Sequence, residues 1–143
     1  MYTRTFTFSK KNEEKIIAEP LNLTVSLRGT REVRDSCQLF RLTGLLDAFS
    51  EPTFIKVIGS KIEDGPKNII LDLSQIDFVD SSGLGALVRL AKLAKPEPDG
   101  EGSFQIVSNA RVTQTVKLVR LEKFLSLQLT VEAALENIPS SAA

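Results

Sequence analysis

The residues best suited to chemistry form one short block, the sequence Asp-Ser-Ser-Gly-Leu-Gly at residues 80–85. An apolar run ends just before the block, and an amphipathic helical pattern begins within it. Aspartate and serine dominate helix N-caps, so a purely structural use of the block stays open. The residues alone predict a capped helix start that exposes its serines.

The block lacks residues that three known functional motifs require. A dinucleotide-binding turn needs a third glycine where Val88 stands, and a phosphate-binding loop needs a Gly-Lys-Ser/Thr ending that is missing. A hydrolase nucleophile elbow needs Gly-x-Ser-x-Gly and a catalytic base. The chain contains no histidine, which excludes Ser-His-Asp catalysis and histidine-ligated metal sites. We therefore expect no catalytic residue, no metal site and no cofactor.

The single cysteine and the charge balance exclude further classes of protein. Cys37 stands alone in an apolar run, which predicts a buried thiol and no disulfide within the chain. Lysine plus arginine and aspartate plus glutamate both total 18, so the basic excess of a nucleic-acid-binding protein is missing. Arg28, Arg31 and Arg34 are interrupted by acidic residues, which predicts a solvated turn.

The length and hydropathy of the chain indicate one domain in a reducing compartment. The 143 residues match a single domain, and a hydrophobic content of 42% supports a packed core. The first residues lack the apolar block of a signal peptide, and no apolar stretch approaches the ~20 residues needed to span a bilayer. We therefore expect a cytoplasmic protein without membrane insertion.

Alternating strand and helix patterns must position the serine block. Residues 21–44 predict a hairpin whose strands, at 21–27 and 37–43, flank a polar turn at 29–35. Ser50 predicts the N-cap of a first helix. The remaining elements continue the alternation: a buried strand at 68–73, a linker at 74–80, a second helix with a buried stripe at Leu84, Leu87, Val88, Ala91 and Ala94, a strand at 104–107, a helix at 112–121, a strand at 124–129 and a helix at 130–137 capped by Thr130.

This order of elements predicts an α/β fold. We expect a single domain with a mixed sheet of four to five strands and helices mainly on one face. An N-terminal extension is placed at residues 1–20, the domain at residues 21–138, and a flexible tail at residues 139–143.

The chain resembles the STAS domain family and, more narrowly, the bacterial anti-sigma-factor antagonists. The similarity covers about residues 21–137 in order. Two motifs support it besides the serine block: Leu-Thr-Gly-Leu-Leu-Asp at residues 42–47 and Asn-Ile-Ile-Leu-Asp-Leu at residues 68–73. The serine block is the most specific of the three.

The resemblance implies a phosphorylation site. In that family the serine directly after the aspartate is phosphorylated by an anti-sigma factor that is also a kinase, and Ser81 holds that position here. Ser82 is the competing acceptor, and the resemblance favours a structural role for it as a cap or turn residue. Asp47 is expected in an exposed loop near the site, where it would contribute little to stability. The implied partner-binding residues are Asp47, Asp80, Ser81, Ser82, Gly83 and Leu84.

The function that the resemblance implies is non-enzymatic partner switching. The unphosphorylated protein would bind an anti-sigma factor or switch serine kinase, with a serine phosphatase as a further partner, as a monomer or weak dimer. A phosphate would add about −1.5 to −2 charges beside Asp80 and Asp47 and repel the partner. Two alternatives remain: a STAS adaptor that binds another signalling phosphatase, kinase or membrane transport partner, and an enzyme or nucleotide-binding protein.

The sequence also departs from the family pattern. The extension at residues 1–20 is longer than the family core requires. Ala110 stands near a position where the family often has proline, and Arg120 aligns with a family glycine. We therefore expect the third helix to end differently in this chain.

Overall fold

The helices and strands of the protein follow one another in a nearly regular alternation. The structure, a computed structural model, describes residues 5–8, 15–97 and 99–139. Its strands are β1 (Thr5–Phe8), β2 (Lys15–Thr24), β3 (Leu27–Val33), β4 (Cys37–Leu46), β5 (Asn68–Val79), β6 (Ser103–Val107) and β7 (Leu127–Gln128). Its helices are α1 (Glu51–Glu63), α2 (Ser81–Ala94), α3 (Ala110–Leu118) and α4 (Val131–Glu136).

The strands form one mixed sheet whose spatial order is the sequence order, β1 to β7. Neighbouring strands from β1 to β4 are antiparallel, and those from β4 to β7 are parallel. The predicted α/β class with a mixed sheet is confirmed. The predicted count of four to five strands is too low, because the sheet has seven.

The third strand explains part of that miscount. Residues 29–35 were predicted as a polar turn, but most of them lie in β3, and the chain reverses at residues 25–26 instead. The solvated turn predicted for Arg28, Arg31 and Arg34 is wrong for Arg31, which is 6% exposed. Its guanidinium donates from Nη1 to Glu19 Oε1 (3.0 Å) and from Nε to Gln38 Oε1 (2.9 Å). Cross-strand partners thus replace water around this charge.

The fifth strand is longer than its apolar run. The predicted linker at residues 74–80 is wrong for most of its length, since β5 continues to Val79. The register of β5 against β4 shifts at two points. At a local turn, Asp72 Oδ1 accepts a hydrogen bond from the backbone N–H of Ser74 (3.0 Å). These irregularities accommodate the polar residues of the strand. Ile76 and Val79 remain buried, so the strand end is anchored in the core.

Two apolar layers cover the sheet. On one face, Ile69, Leu71 and Leu73 of β5 join the large core that α1, α2 and α3 complete. On the other face, Ile70 packs with Cys37 and Ala134 in a smaller cluster under α4. The prediction of helices mainly on one face is confirmed, and Cys37 is a buried thiol as expected.

Element boundaries differ from the predictions at several points. Val88 is only half-buried, whereas Ala86 and Leu90 lie in the core of α2. The third helix ends at Leu118 and the last strand has two residues, both shorter than predicted. The predicted domain boundary after residue 20 falls inside β2. Residues 1–4, 9–14 and 140–143, which belong to the predicted extension and tail, lie outside the described residues.

The end of α3 shows what Arg120 does in place of a glycine. Its φ of 57° is left-handed, and its backbone N–H donates to the Lys117 carbonyl (3.1 Å), while the N–H of Leu121 donates to the Val116 carbonyl (3.2 Å). This pair of hydrogen bonds is the Schellman motif, which glycine favours. The helix therefore stops in the ordinary manner, with an arginine in a strained conformation.

Glu19 forms a buried ionic centre with Arg31 and Lys61, and this centre predicts a pH effect. Burial raises the pKa of Glu19, but the hydrogen bonds and charges of Arg31 and Lys61 outweigh it and lower the pKa below its ordinary value. A lowered folded-state pKa contributes stability at neutral pH that is lost as the pH falls through the folded pKa.

We expect Glu19→Gln to lower the free energy of unfolding by about 3 kcal/mol at neutral pH, because the buried Arg31 and the partly buried Lys61 lose their counter-charge. Urea midpoints measured from pH 7 down to acid should fall more steeply for the parent than for the variant. Glu63→Gln, an exposed change on α1, is the control and should follow the parent. Equal pH slopes for the parent and Glu19→Gln would contradict the assignment.

Candidate functional site

The serine block lies where β5 passes into α2, and the carboxylate of Asp80 organises that junction. Its Oδ1 accepts a hydrogen bond from the Gly83 N–H (2.9 Å), which caps α2. Its Oδ2 accepts one from the Ala48 N–H (3.2 Å) in the loop between β4 and α1. One side chain therefore begins the helix and holds the neighbouring loop.

Asp47 lies in that same loop and has a structural role that the sequence did not predict. Its Oδ1 accepts a hydrogen bond from the Ser50 N–H (3.0 Å), and its carbonyl accepts one from the Glu51 N–H (2.9 Å). The side chain is half-buried. The expectation of an exposed carboxylate is therefore wrong, because Asp47 is half-buried and forms the turn that starts α1. Its small contribution to stability stays a prediction.

Ser50, the hydrogen-bond partner of Asp47 in this turn, also has a role that differs from its prediction. It occupies the N-cap position of α1 as predicted, but its side chain makes no capping hydrogen bond. Its hydroxyl is buried and instead donates to the Leu45 carbonyl (2.9 Å) and accepts from the Asp47 N–H (3.0 Å). Asp47 and Ser50 together fix the loop that Asp80 contacts.

Ser81 and Ser82 occupy the first two positions of α2. Ser81 is exposed and Ser82 is half-buried. Within the described residues, neither hydroxyl takes part in a hydrogen bond, and the capping that Ser82 was expected to provide is performed by Asp80. The hydroxyl of Ser81 therefore has no structural task and is open to solvent.

Gly83 and Leu84 lie beneath this surface. A Cβ on Gly83 would collide with the carbonyl oxygen of Leu46 and lie 3.0 Å from Val79 Cγ1. Leu84 is buried in the main core. These two residues hold α2 against the ends of β4 and β5, and Asp47, Asp80, Ser81 and Ser82 meet at the same junction.

Three exposed apolar side chains that the sequence did not predict lie at the same end of the sheet as the serines. Val25, Phe49 and Phe78, here called the apolar rim, are 91%, 67% and 48% exposed. Phe49 follows Ala48, which is bonded to Asp80, and Phe78 precedes Asp80 by two residues. The turn that carries Val25 is held at this end of the sheet by the Leu45 N–H, which donates to the Ser26 carbonyl (2.9 Å).

Phe78 gave no sequence signal because it breaks the alternation of its strand. Asp77 and Phe78 are consecutive exposed residues, whereas Ile76 and Val79 on either side are buried. In a regular strand Phe78 would share a face with Ile76. The register shift in β4 between Gly44 and Leu45 occurs opposite this point and disturbs that alternation.

The charges around the junction are unbalanced. Within the described part of the chain, no lysine or arginine forms an ion pair with Asp47 or Asp80. The nearest ion pair along α2 joins Arg89 to Glu51 at 3.5 Å, and Arg89 is largely exposed. The serines therefore follow one carboxylate and share a junction with a second, and among the described residues both carboxylates are held by backbone N–H groups.

Asn109 repeats the Asp80 arrangement at the next strand. Its Oδ1 accepts from the Val112 N–H (2.8 Å) and so caps α3. Its Nδ2 donates to the carbonyls of Ser74 (3.1 Å) and Ile76 (2.9 Å), which fixes the end of β5. Asn109 was not among the predicted caps, although an asparagine before an apolar helical pattern is a recognisable cap signal.

Two kinds of feature are absent from the described residues. No group of three or more cysteine, aspartate or glutamate side chains there is placed to hold a metal ion. No helix among them has the length and apolar character needed to cross a membrane.

Comparisons with known proteins identify relatives of this chain. The STAS domain model matches residues 30–134. An anti-sigma factor antagonist from Mycobacterium paratuberculosis superimposes with a TM-score of 0.70 at 24% identity, covering 79% of this chain and 94% of that one. The anti-sigma factor antagonist SpoIIAA in its unphosphorylated form gives 0.57 at 20% identity, covering 81% and 93%. The phosphorylated Bacillus SpoIIAA gives 0.53 at 17%, covering 81% and 96%. These identities establish a shared fold.

Two glycines on α2 test the packing at the junction. Gly83→Ala should lower the free energy of unfolding by about 2 kcal/mol, because the added methyl meets the backbone of Leu46. Gly85→Ala should raise it by about 0.5–1 kcal/mol, because its Cβ would meet nothing within 4 Å and alanine favours a helix. Thermal or urea unfolding measures both, and equal effects of the two changes would refute the close approach at Gly83.

Proposed function

This chain belongs to the STAS domain family, and we propose that it is an anti-sigma-factor antagonist that switches partners through phosphorylation of Ser81. The observation that carries the proposal is the Ser81 hydroxyl, exposed and unbonded within the described residues at the start of a helix that Asp80 caps. A kinase can reach this oxygen without breaking a structural hydrogen bond.

The fold tolerates a phosphate at this point. The first backbone N–H groups of a helix lack intrahelical partners, and the helix dipole favours negative charge near them. The cap itself depends on Asp80 and Gly83, which modification of Ser81 leaves in place. Phosphorylation therefore changes the surface and leaves the core intact.

The same phosphate disfavours a docked partner. It adds about −1.5 to −2 charges beside Asp47 and Asp80, which have no lysine or arginine partner within the described residues. A partner that covers the apolar rim would have to bury this charge with no cation to pair it. Desolvation of an unpaired charge costs several kcal/mol, which exceeds what most single contacts contribute.

The proposed partners follow from the relatives. The similar structures are anti-sigma factor antagonists, and SpoIIAA is known in unphosphorylated and phosphorylated forms. By analogy, the unphosphorylated protein binds an anti-sigma factor that is also a serine kinase, and a serine phosphatase restores it. The protein itself acts without a catalytic residue or cofactor, and its contribution is the surface formed by Asp47, Asp80, Ser81, Ser82 and the apolar rim.

The acceptor can be identified by mass spectrometry after incubation with ATP and an anti-sigma-type serine kinase. Trypsin should release the peptide that runs from Asn68 to Arg89, which contains Ser74, Ser81 and Ser82. We expect fragment ions to place one phosphate on Ser81, Ser81→Ala to remove the label, and Ser82→Ala to retain it. Full labelling of Ser81→Ala would refute the assignment.

Charge and apolar variants test the switch itself. Ser81→Asp should melt within a few degrees of the parent, because the helix start accepts negative charge, yet bind the kinase partner about tenfold more weakly or worse. Phe49→Ala should also weaken binding with little loss of stability, since the ring is mostly exposed. Ser60→Asp, which adds the same charge at an exposed position of α1, should bind like the parent.

Calorimetric titration and thermal melts distinguish the outcomes. A folded Ser81→Asp protein that binds as tightly as the parent would show that charge at Ser81 does not control docking. If Phe49→Ala binds the partner as tightly as the parent does, the apolar rim is not part of the interface. If the protein binds a different signalling protein and neither variant changes that affinity, an adaptor role is favoured.

A further inference from the structure

A second surface lies at the opposite end of α2, away from the serines. A groove of about 500 Å³ opens there between the last turn of α2, the first half of β6 and the loop before β7. The lining residues that matter here are Lys92, Lys95, Phe104, Phe124 and Ser126. Because α2 has 14 residues, its two ends are separated by about 20 Å.

The groove borders part of a strand edge whose side chains are themselves buried, since Phe104 is 7% exposed and Gln105 is 2% exposed. β7 pairs with β6 only at Ile106 and Val107, so Ser103, Phe104 and Gln105 have no strand on that side. The Ser103 N–H donates towards β5, at Lys67, and the Ile106 N–H donates to the other side, at Ser126. Since alternate residues direct their backbone groups to opposite sides, the N–H and C=O of Phe104 face the groove.

No described residue satisfies those two backbone groups of Phe104. The loop residue that would continue β7, Ser126, instead donates its N–H to the Lys123 carbonyl (3.3 Å) and has a left-handed φ of 51°. The chain thus turns away just where another residue of β7 would complete the pairing. A strand edge left in this state is a template for a further strand.

The charge of the groove is positive on a chain whose net charge is zero. Lys92 and Lys95 stand on the α2 wall, and no aspartate or glutamate is among the described residues that line the groove. The acidic residues of the nearby loop, Glu97 and Glu101, line a separate hollow on the other side of Pro96. Phe104 and Phe124 supply the apolar part of the wall.

We propose that this groove binds an extended, acidic segment of a partner protein, which adds a short strand beside residues 103–105 of β6. Its backbone would pair with Phe104, its carboxylates would meet Lys92 and Lys95, and an apolar side chain would lie against Phe124. Three residues of strand edge span about 10 Å, which matches a short linear motif bound by strand addition. The site is separate from the Ser81 switch, so both surfaces can be occupied at once.

Peptide selection tests the proposal directly. The full chain is immobilised, and a phage library of random peptides of about ten residues is selected on it, with counter-selection on Lys92→Glu/Lys95→Glu. We expect enrichment of peptides rich in aspartate and glutamate and poor in proline. The selected peptides should bind the double variant at least about tenfold more weakly than the parent. They should bind Ser81→Asp and the matched charge reversal Lys56→Glu/Lys117→Glu like the parent.

Amide exchange locates the bound peptide. In ¹⁵N-labelled protein, the Phe104 N–H should become protected when a selected peptide is added, whereas the Gly85 N–H on α2 should not change. Melting curves of the two double variants establish that each is folded, and Lys92→Gln/Lys95→Gln provides a milder second variant.

Several results would overturn the inference. Selection without acidic enrichment, equal affinity for the parent and Lys92→Glu/Lys95→Glu, or unchanged exchange at Phe104 would each exclude strand addition in this groove. A last outcome would assign the surface to a membrane instead. In that case no peptide is enriched, and the protein sediments with phosphatidylserine vesicles only when Lys92 and Lys95 are present.

Discussion

The candidate functional site depends on the two hydrogen bonds that the carboxylate of Asp80 accepts. One oxygen starts α2 and the other secures the loop between β4 and α1, so the position of Ser81 relative to Asp47 is set by a single side chain. The missing side chain of Gly83 lets the helix start lie directly on the backbone of Leu46. Since these groups complete the junction, Ser81 is left without a structural role and its chemistry can change independently of the fold.

A polar side chain that forms a turn or caps a helix recurs along one edge of the sheet. Each of the four parallel strands is followed within two residues by a side chain that forms a turn or caps a helix: Asp47 after β4, Asp80 after β5, Asn109 after β6 and Thr130 after β7. The carboxyl ends of parallel strands share an edge, so all four polar side chains gather there. The start of α2 differs from the other three sites because an exposed serine follows its cap.

The sequence predicted the structure best where a local feature, such as a helix cap or a buried strand, depends on neighbouring residues alone. The helix start at residues 80–85, the buried strands and the Thr130 cap all follow from short-range rules, and the structure has them. β3 was missed because its charged residues are satisfied by partners far along the chain, as Arg31 is by Glu19, and no local pattern reveals such a partner. Phe49 and Phe78 were missed for a related reason, since an exposed aromatic residue looks like a core residue until the strand register is known.

Because the strands lie in the sheet in the order of the sequence, the sheet can form while the chain is being synthesised. Every strand pairs with the strand before it, so no strand has to wait for a later segment to separate two neighbours. The longest excursions between paired strands are single helical crossovers. Loop closure therefore stays modest at each step, and the sheet can grow strand by strand from the amino terminus as the ribosome delivers the polypeptide. Residues 80–85 emerge after β4, which provides the edge against which β5 and Gly83 pack, so the start of α2 is assembled on a strand that has already been synthesised.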